Sequence, residues 1–156
     1  MAIAETLKTW IEDQSIEYRM GSHPISFSSR ETATAAHIRE DHIAKAVILK
    51  DKQGYLMAVI PADQWIKLHA IQQDLNRPLE LASEDEIDEL FKDCQPGAIP
   101  PLGQAYGVET VLDESLTSLA NVYLEAGDHE HLLHISGDHF RKIMSGVRHG
   151  HFSHPD

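Results

Sequence analysis

The sequence predicts a single α/β domain with a mixed, largely antiparallel sheet flanked by helices. Two apolar runs, 45–50 and 55–60, flank a four-residue segment that ends in Gly54, which is the pattern of an antiparallel hairpin. Helical and strand-like segments then mix without the regular alternation of a doubly wound sheet. The 156 residues fit one domain, and neither a linker nor a repeat divides them. We therefore expect one domain over 1–148 and a flexible C-terminal tail over 149–156.

The first third of the chain predicts two helices with a short strand between them. Apolar residues recur at helical spacing over 2–14, which indicates an amphipathic helix. A weak alternation over 16–20 indicates a strand. Ser28 and Glu31 have the spacing of a capping box, so a helix is expected from there to His37.

The middle of the chain predicts the hairpin and three peripheral elements. The run 45–50 is apolar on both faces, as a central strand requires, and Pro61 ends its partner. Asp63 is expected to cap a helix that carries Trp65 toward the core. An edge strand is expected over 77–81. A capping-box pattern indicates the helix that follows, and its two residues are Ser83 and Glu86.

The last third predicts three strands and a closing helix. The strand segments are expected over 106–112, 121–125 and 131–135. Ser136 then caps a helix whose apolar face includes Phe140.

The composition excludes several classes of function. The chain is 42% hydrophobic and 24% charged and has only one cysteine, Cys94, so it should fold without disulfides. No apolar run approaches the ~20 residues that span a bilayer, and no secretory signal begins the chain, so we expect a cytoplasmic protein without a membrane partner. The net charge of −12 opposes non-specific attachment to nucleic acid. We expect no DNA partner and only local contacts with RNA.

Lys45 stands at the entrance of the predicted central strand, and its role is open. Its stem could pack while the ammonium reaches water. In a pocket it could act as a point charge for a phosphate or a developing oxyanion, or as a desolvated nucleophile. The position alone does not choose between these roles.

A loop with a fixed backbone forms the second candidate. Gly97 permits close approach of the backbone, and Pro100 and Pro101 hold the chain extended. Such a loop can aim amide groups at a ligand, although an ordinary connection between a helix and a strand would have the same sequence features.

The eleven histidines raise a metal hypothesis. His129, His131 and His134 have a spacing that recurs at 149, 151 and 154. On a strand, however, the first two would share a face and the third would point away. We therefore predict no metal and no cofactor, with metal-dependent hydrolysis by His129 and His131 as the alternative. His129 also follows a turn, where side chains can face a cleft.

Four segments carry a resemblance to a known family. They are Ser28-Ser29-Arg30-Glu31-Thr32-Ala33, Ala44-Lys45-Ala46-Val47-Ile48-Leu49, Gly97-Ala98-Ile99-Pro100-Pro101-Leu102-Gly103 and Glu125-Ala126-Gly127-Asp128-His129. In order and spacing they resemble the YbaK/EbsC family of aminoacyl-tRNA editing domains, which includes free-standing deacylases and the editing domain inserted in bacterial prolyl-tRNA synthetases. The resemblance runs from the first helix through Phe140. It implies hydrolysis of the ester that joins a wrong amino acid to the 3′-terminal adenosine of a tRNA.

The resemblance also implies roles for particular residues. Lys45 would place the tRNA end and the aminoacyl ester, and Gly97 would supply backbone groups around the scissile carbonyl. His129 matches a histidine of the synthetase-inserted branch. The substrate-binding positions implied in this way are Gly21, His23, Thr32, Ala98, Ile99, Pro101, His129 and Asp138.

The implied chemistry is attack by water, assisted by a ribose hydroxyl of the substrate and independent of metal, which suits a chain without an obvious triad. Gly21 replaces a tyrosine that lines the pocket in some family members, so we expect a more open wall and loose selectivity. Alanine, cysteine, serine and threonine remain open as the amino acid, with tRNA-Pro as the leading carrier. The expected partners are the tRNA acceptor end and, as an open possibility, a synthetase. The alternative is a non-catalytic module of the same fold that holds a tRNA end or a protein.

Overall fold

The structure is a computed structural model that describes residues 3–23, 29–36 and 38–155. The described part contains five α-helices: α1 (Glu5–Asp13), α2 (Ser29–Ala36), α3 (Leu68–Leu75), α4 (Glu84–Leu90) and α5 (Gly137–Ile143). It contains ten strands: β1 (Arg19–Ser22), β2 (Ile43–Asp51), β3 (Gly54–Pro61), β4 (Gln64–Ile66), β5 (Glu80–Leu81), β6 (Glu109–Asp113), β7 (Asn121–Glu125), β8 (His131–Ser136), β9 (Arg148–Gly150) and β10 (Ser153–Pro155). Three short 3-10 helices cover Glu40–His42, Gly103–Tyr106 and Glu114–Ser118.

Eight strands form one mixed sheet in the order β1-β8-β7-β2-β3-β6-β9, with β5 added beside β2. The pairs β1–β8, β7–β8, β2–β3 and β2–β5 are antiparallel. The pairs β2–β7, β3–β6 and β6–β9 are parallel. The predicted α/β fold with a mixed, largely antiparallel sheet flanked by helices is confirmed.

The central hairpin forms as predicted. Lys45 of β2 is the register partner of Ile60 of β3, and the pairing continues to Asp51 and Gly54 at the turn. Gly54 has a φ of +131°, which residues with a side chain rarely adopt, so glycine suits this turn. The local turn signal was therefore sufficient to predict the hairpin.

The sheet has an apolar core on each face. On one face the larger core brings together helix and strand residues, among them Leu7 of α1, Phe140 of α5 and Ile48 of β2. On the other face Ala33 of α2 packs with Ile43 at the start of β2. Because both faces of β2 are covered, its almost wholly apolar sequence is explained.

The helix predicted to start at Asp63 is wrong. Residues 64–66 form β4 instead, and α3 begins only at Leu68. Trp65 is 56% exposed rather than turned toward the core. The reason is a long-range pairing, since Trp65 is the register partner of His154 in β10, and a local capping pattern carries no information about such a partner.

The C-terminal segment is structured where a flexible tail was expected. β9 adds to the sheet in parallel beside β6, and β10 pairs with β4. Between them Phe152 is only 2% exposed, and its backbone N–H donates to Asp113 Oδ1 over 2.8 Å. The domain therefore extends at least to Pro155.

The other differences concern boundaries. β1 covers Arg19–Ser22, so it begins and ends later than the strand that was expected over 16–20. The capping box with Ser28 lies outside the described residues, whereas the one formed by Ser83 and Glu86 is confirmed by both of its hydrogen bonds. In the part of the chain that the structure describes, no helix is long and apolar enough to cross a bilayer.

Candidate functional site

Two rows of side chains cross the sheet on the face covered by α2. Register partners in antiparallel strands present their side chains on the same face. The rows are Arg19, His134 and Tyr123, and beside them Gly21, Leu132 and Glu125. Ile43 of β2 is the register partner of Tyr123, while Lys45 and Glu125 each come one residue after the last register pair of β2 and β7. The register therefore carries one row from Gly21 to Glu125, and Lys45 stands just beyond the end of that row, where β2 and β7 no longer pair.

The edge of β2 opens next to this row. β7 pairs only with the first two residues of β2, and β5 pairs only with 49–50. Among the described strands none pairs with residues 45–47 on this edge. The Ile48 carbonyl accepts a hydrogen bond from the Ala82 N–H on the same edge. Because strand residues alternate, the backbone N–H and C=O of Ala46 also face this edge, toward the opening.

Lys45 is half-buried at the opening. Its Nζ lies 5.5 Å from the centroid of the Trp65 ring, which is a cation–π arrangement. Burial lowers the pKa of the ammonium, while the charges of Glu40 and Asp63 oppose that shift. A partly desolvated cation gains most from an anionic ligand, so this ammonium is suited to a phosphate or a developing oxyanion.

Gly97 is held against the connection between β7 and β8. Its φ is +82°, and a Cβ at this position would lie 3.3 Å from His129 Cε1. His129 Nε2 is 2.5 Å from the carbonyl oxygen of Pro96, and the N–H of Gln95 donates to Gly127 O over 2.8 Å. The close approach and the positive φ both favour glycine here.

The rest of the predicted loop turns inward. Ala98 and Pro101 are buried, and Ile99 packs against the larger core. The Ala98 N–H donates to Gln95 O over 3.0 Å. Any contact that these three residues make with a ligand would therefore come mainly from their backbone.

Asp128 shapes the turn that carries His129. Its Oδ1 accepts hydrogen bonds from the N–H groups of Glu130 and His131, both over 3.0 Å, and its Oδ2 lies 2.5 Å from His131 Nδ1. Burial raises the pKa of Asp128, but the hydrogen bonds from Glu130 and His131 outweigh it and lower the pKa. His129 itself is buried with a φ of +63°.

Glu125 is a residue of this region that we did not predict. It is 8% exposed, and the Thr32 hydroxyl donates to its Oε1 over 3.4 Å. Its Oε2 has no hydrogen-bond partner among the described residues. Burial raises its pKa to about 7; the Thr32 hydrogen bond opposes this shift, and the Asp128 charge adds to it. The one feature of the sequence that could have pointed to Glu125 was its position as a charged residue at the end of the predicted strand 121–125.

A cavity of about 380 Å³ opens beside the two rows. Its lining comes from β1, β7, β8 and the region after α2, and includes Gly21, His23, Ile38, Tyr123, Leu132 and His134. A Cβ at Gly21 would meet nothing within 4 Å, so the wall is open there. The rings of Tyr123 and His134 stack 4.6 Å apart. Lys45 and Gly97 are not among the described residues that line this cavity.

The remaining predicted positions divide into two groups. The backbone N–H of His23 donates to Glu130 O over 2.8 Å, which places it beside the turn, and Thr32 contacts Glu125. Asp138 lies elsewhere, because it follows Ser136 at the opposite end of β8, is exposed and pairs with Arg141. The structure therefore does not bring Asp138 together with the other candidates.

The side chains considered for metal or thiol chemistry are engaged with the protein. His129 contacts Pro96, and His131 contacts Asp128. Over residues 3–23, 29–36 and 38–155, no three histidine, cysteine, aspartate or glutamate side chains form a group that could hold a metal ion. Burial raises the pKa of the Cys94 thiol to about 12, so it is not an activated nucleophile.

A sequence comparison with protein families adds to this geometry. The model of the family described as "Aminoacyl-tRNA editing domain" matches residues 23–143. The match spans α2, the central hairpin, the Gly97 loop and all of α5. No curated protein sequence matches the chain.

Solved structures share the fold. The crystal structure of the hypothetical protein APE2540 has a TM-score of 0.85 at 24% identity, over 96% of this chain and 100% of the other. That of a protein proposed as a trans-editing enzyme for prolyl-tRNA synthetase has a TM-score of 0.84 at 19% identity, over 97% and 96%. The third is a longer chain from Marinobacter aquaeolei VT8 that is described as a candidate signal transduction protein. Its TM-score is 0.78 at 22% identity, over 97% of this chain and 30% of the other. At these identities the likeness shows the fold.

Proposed function

Because the chain belongs to the aminoacyl-tRNA editing domain family, we propose that it is a deacylase that acts in trans on mischarged tRNA. The observation that carries the proposal is the position of Lys45, a half-buried cation at the open edge of β2. An aminoacyl ester next to a phosphate-bearing tRNA end presents the anionic and developing-anionic groups that such a cation binds. The net charge of −12 favours contacts that are limited to the acceptor end.

In the proposed mechanism Lys45 holds the tRNA terminus and the Gly97 backbone polarises the ester carbonyl. Water adds to that carbonyl with help from the neighbouring ribose hydroxyl. The bond between the carbonyl carbon and the ribose oxygen then breaks, and the ribose oxygen takes a proton. The products are the free amino acid and uncharged tRNA. Positioning and one backbone donor are sufficient for a large effect, since removal of a single oxyanion donor typically costs roughly 10²–10³ in rate.

The substrate that we propose is tRNA-Pro carrying a small amino acid, with alanine, cysteine, serine and threonine as the candidates. The cavity of about 380 Å³ beside Gly21 has room for the side chain of any of these four, which supports loose selection among them. A site that judges size by packing separates side chains differing by one methylene by only ~1–3 kcal/mol. We propose that the protein acts in the cytoplasm, independently of metal, and either alone or with a synthetase that delivers the tRNA.

The proposal is tested with a panel of tRNA-Pro molecules charged with each of the four amino acids. We expect the wild-type protein to release at least one of them faster than spontaneous hydrolysis does. The same release should persist in excess chelator. Release that chelator abolishes would instead favour metal-dependent hydrolysis with His129 and His131. If all four esters remain intact, the deacylase proposal is wrong.

A non-catalytic binding module is the second candidate. It is favoured by the occurrence of this fold as 30% of a longer chain, since a domain that recurs inside larger proteins can serve as a recognition unit. Binding of uncharged and charged tRNA should then be measured together with release. Binding that survives Lys45→Ala without any release in the wild type would support the module and contradict the deacylase.

A further inference from the structure

Glu125 is an acidic side chain in the candidate site for which the proposed mechanism has no role yet. It is 8% exposed, and the Thr32 hydroxyl donates a hydrogen bond to its Oε1 over 3.4 Å. Its Oε2 has no hydrogen-bond partner among the residues described by the structure. A buried carboxyl oxygen without a hydrogen-bond partner lowers the stability of the fold, and a polar ligand that bonds to it would remove that cost.

Asp128, three residues later, provides a contrast within the same turn. Both of its oxygens are engaged with the protein, because Oδ1 accepts from the backbone N–H groups of Glu130 and His131 and Oδ2 contacts the His131 ring. Asp128 therefore has a structural role, and Glu125 does not share it. The difference leaves Glu125 available for a ligand.

The position of Glu125 relates it to both parts of the site. Its register partner Leu132 lines the cavity, and so does Tyr123, two residues earlier on the same face of β7. On the other side, Lys45 occupies the next position on β2. The pairing of β7 with β2 ends one residue earlier, at Ala44 and Leu124, so Glu125 stands where the two strands part, between the wall of the cavity and the opening that carries Lys45.

The chemistry of an aminoacyl ester suggests the ligand. Every such ester carries an α-ammonium group one carbon from the scissile carbonyl, between the side chain and the ester oxygen. If the side chain occupies the cavity and the ester lies toward Lys45, the ammonium falls between them. Lys45 repels a cation, whereas a buried carboxylate binds one through a charge-assisted hydrogen bond.

We propose that Glu125 binds the α-ammonium group of the aminoacyl ester, with the Thr32 hydroxyl orienting its carboxylate. The inference rests on the proposed function and deepens it, because it identifies the group that distinguishes an aminoacyl ester from other esters of tRNA. Burial raises the pKa of Glu125 to about 7, and a bound cation would draw the carboxyl into its ionised form.

The test compares two esters that differ only in the group at the α-carbon. One is the aminoacyl-tRNA that the wild type hydrolyses best, and the other is the matching α-hydroxyacyl-tRNA, which for alanine is lactyl-tRNA. The hydroxyl is nearly the size of the ammonium but carries no charge. We expect the wild type to hydrolyse the aminoacyl ester about 10- to 100-fold faster in kcat/KM, the range of one hydrogen bond to a charged group.

The decisive variant is Glu125→Gln, which keeps the shape and removes the charge. We expect it to lower kcat/KM for the aminoacyl ester by about 10- to 100-fold and to change that for the hydroxyacyl ester by less than about 3-fold. Glu12→Gln, the same substitution at an exposed position of α1, is the matched control and should change neither rate. Thr32→Val removes the orienting hydroxyl and, like Glu125→Gln, should reduce the preference for the aminoacyl ester. It serves as the test variant if Glu125→Gln does not fold.

The outcomes separate the inference from the proposed function. If Glu125→Gln loses the same activity on both esters, Glu125 only supports the fold. If it loses activity on neither ester, Glu125 does not contact the ammonium. Either result overturns the inference and leaves the proposed function standing. If the wild type hydrolyses neither ester, the proposed function is wrong and the inference falls with it.

Discussion

Replacement of Gly97 by alanine should strain the candidate site in two separate ways. The first is the backbone, because Gly97 has a φ of +82°, where an L-residue with a Cβ is disfavoured. The second is contact, since the new Cβ would lie 3.3 Å from His129 Cε1, closer than relaxed packing allows. The ring must then shift by a few tenths of an ångström, and that shift disturbs its 2.5 Å contact with Pro96 O.

The expected cost follows from these two contributions. A left-handed backbone conformation costs a residue with a Cβ roughly 1–2 kcal/mol. Weakening of one hydrogen bond adds ~0.5–1.5 kcal/mol. The free energy of unfolding should therefore fall by about 1.5–3.5 kcal/mol, which for a domain of this size lowers the melting temperature by roughly 3–14 °C.

Gly107→Ala is the matched control. Gly107 also has a positive φ, +67°, but a Cβ there would meet nothing within 4 Å. It should therefore lose only the backbone contribution of ~1–2 kcal/mol. Thermal unfolding of the three proteins under one set of conditions measures the difference. The reasoning is refuted if Gly97→Ala melts with the wild type, or if it is destabilised no more than Gly107→Ala.

Two further predictions concern stability. Phe152→Ala should lower the free energy of unfolding by ~3–5 kcal/mol in a urea titration, because this side chain is only 2% exposed. His154→Ala, at an exposed position, should change it by less than ~0.5 kcal/mol. Similar effects of the two substitutions would contradict the anchoring of the C-terminal segment. Hydrogen bonds from Arg77 hold the pKa of Asp51 at about 2, so its stabilising contribution is complete above the unfolded-state pKa of ~3.9 and is lost as pH falls through about 2. The difference in urea midpoint between wild type and Asp51→Asn should accordingly be constant above pH ~4 and shrink below it, and a difference independent of pH would contradict the ion pair with Arg77.

Local signals predicted the elements that depend on local contacts. The hairpin of β2 and β3 follows from a turn between two apolar runs, and the Ser83 cap of α4 from two residues three positions apart. The segments 64–66 and 149–155 were misread because each finds its partner far away in sequence. Such pairings depend on the assembled sheet, which no short window of sequence contains.

The candidate site shows the same limit. Lys45 and Gly97 stand in recognisable segments, and Gly97 lies so close to His129 that a Cβ on it would be 3.3 Å from His129 Cε1. Glu125 could be recognised as a site residue only from the register of β1, β8, β7 and β2. That register puts it in one row with Gly21 and next to the end of the β2–β7 pairing, where Lys45 follows. Asp138, by contrast, lies at the far end of β8, a distance that its place in the sequence did not reveal.

The most direct test of the account is the single-turnover rate of ester release from mischarged tRNA-Pro by the wild type, Lys45→Ala and Lys52→Ala. Lys52 is an exposed cation in the turn after β2, so its removal controls for the loss of one positive charge. The account predicts that Lys52→Ala retains the wild-type rate within about 2-fold and that Lys45→Ala, still folded by circular dichroism, loses roughly 10²-fold. A Lys45→Ala rate equal to that of the wild type would contradict the central role assigned to this lysine.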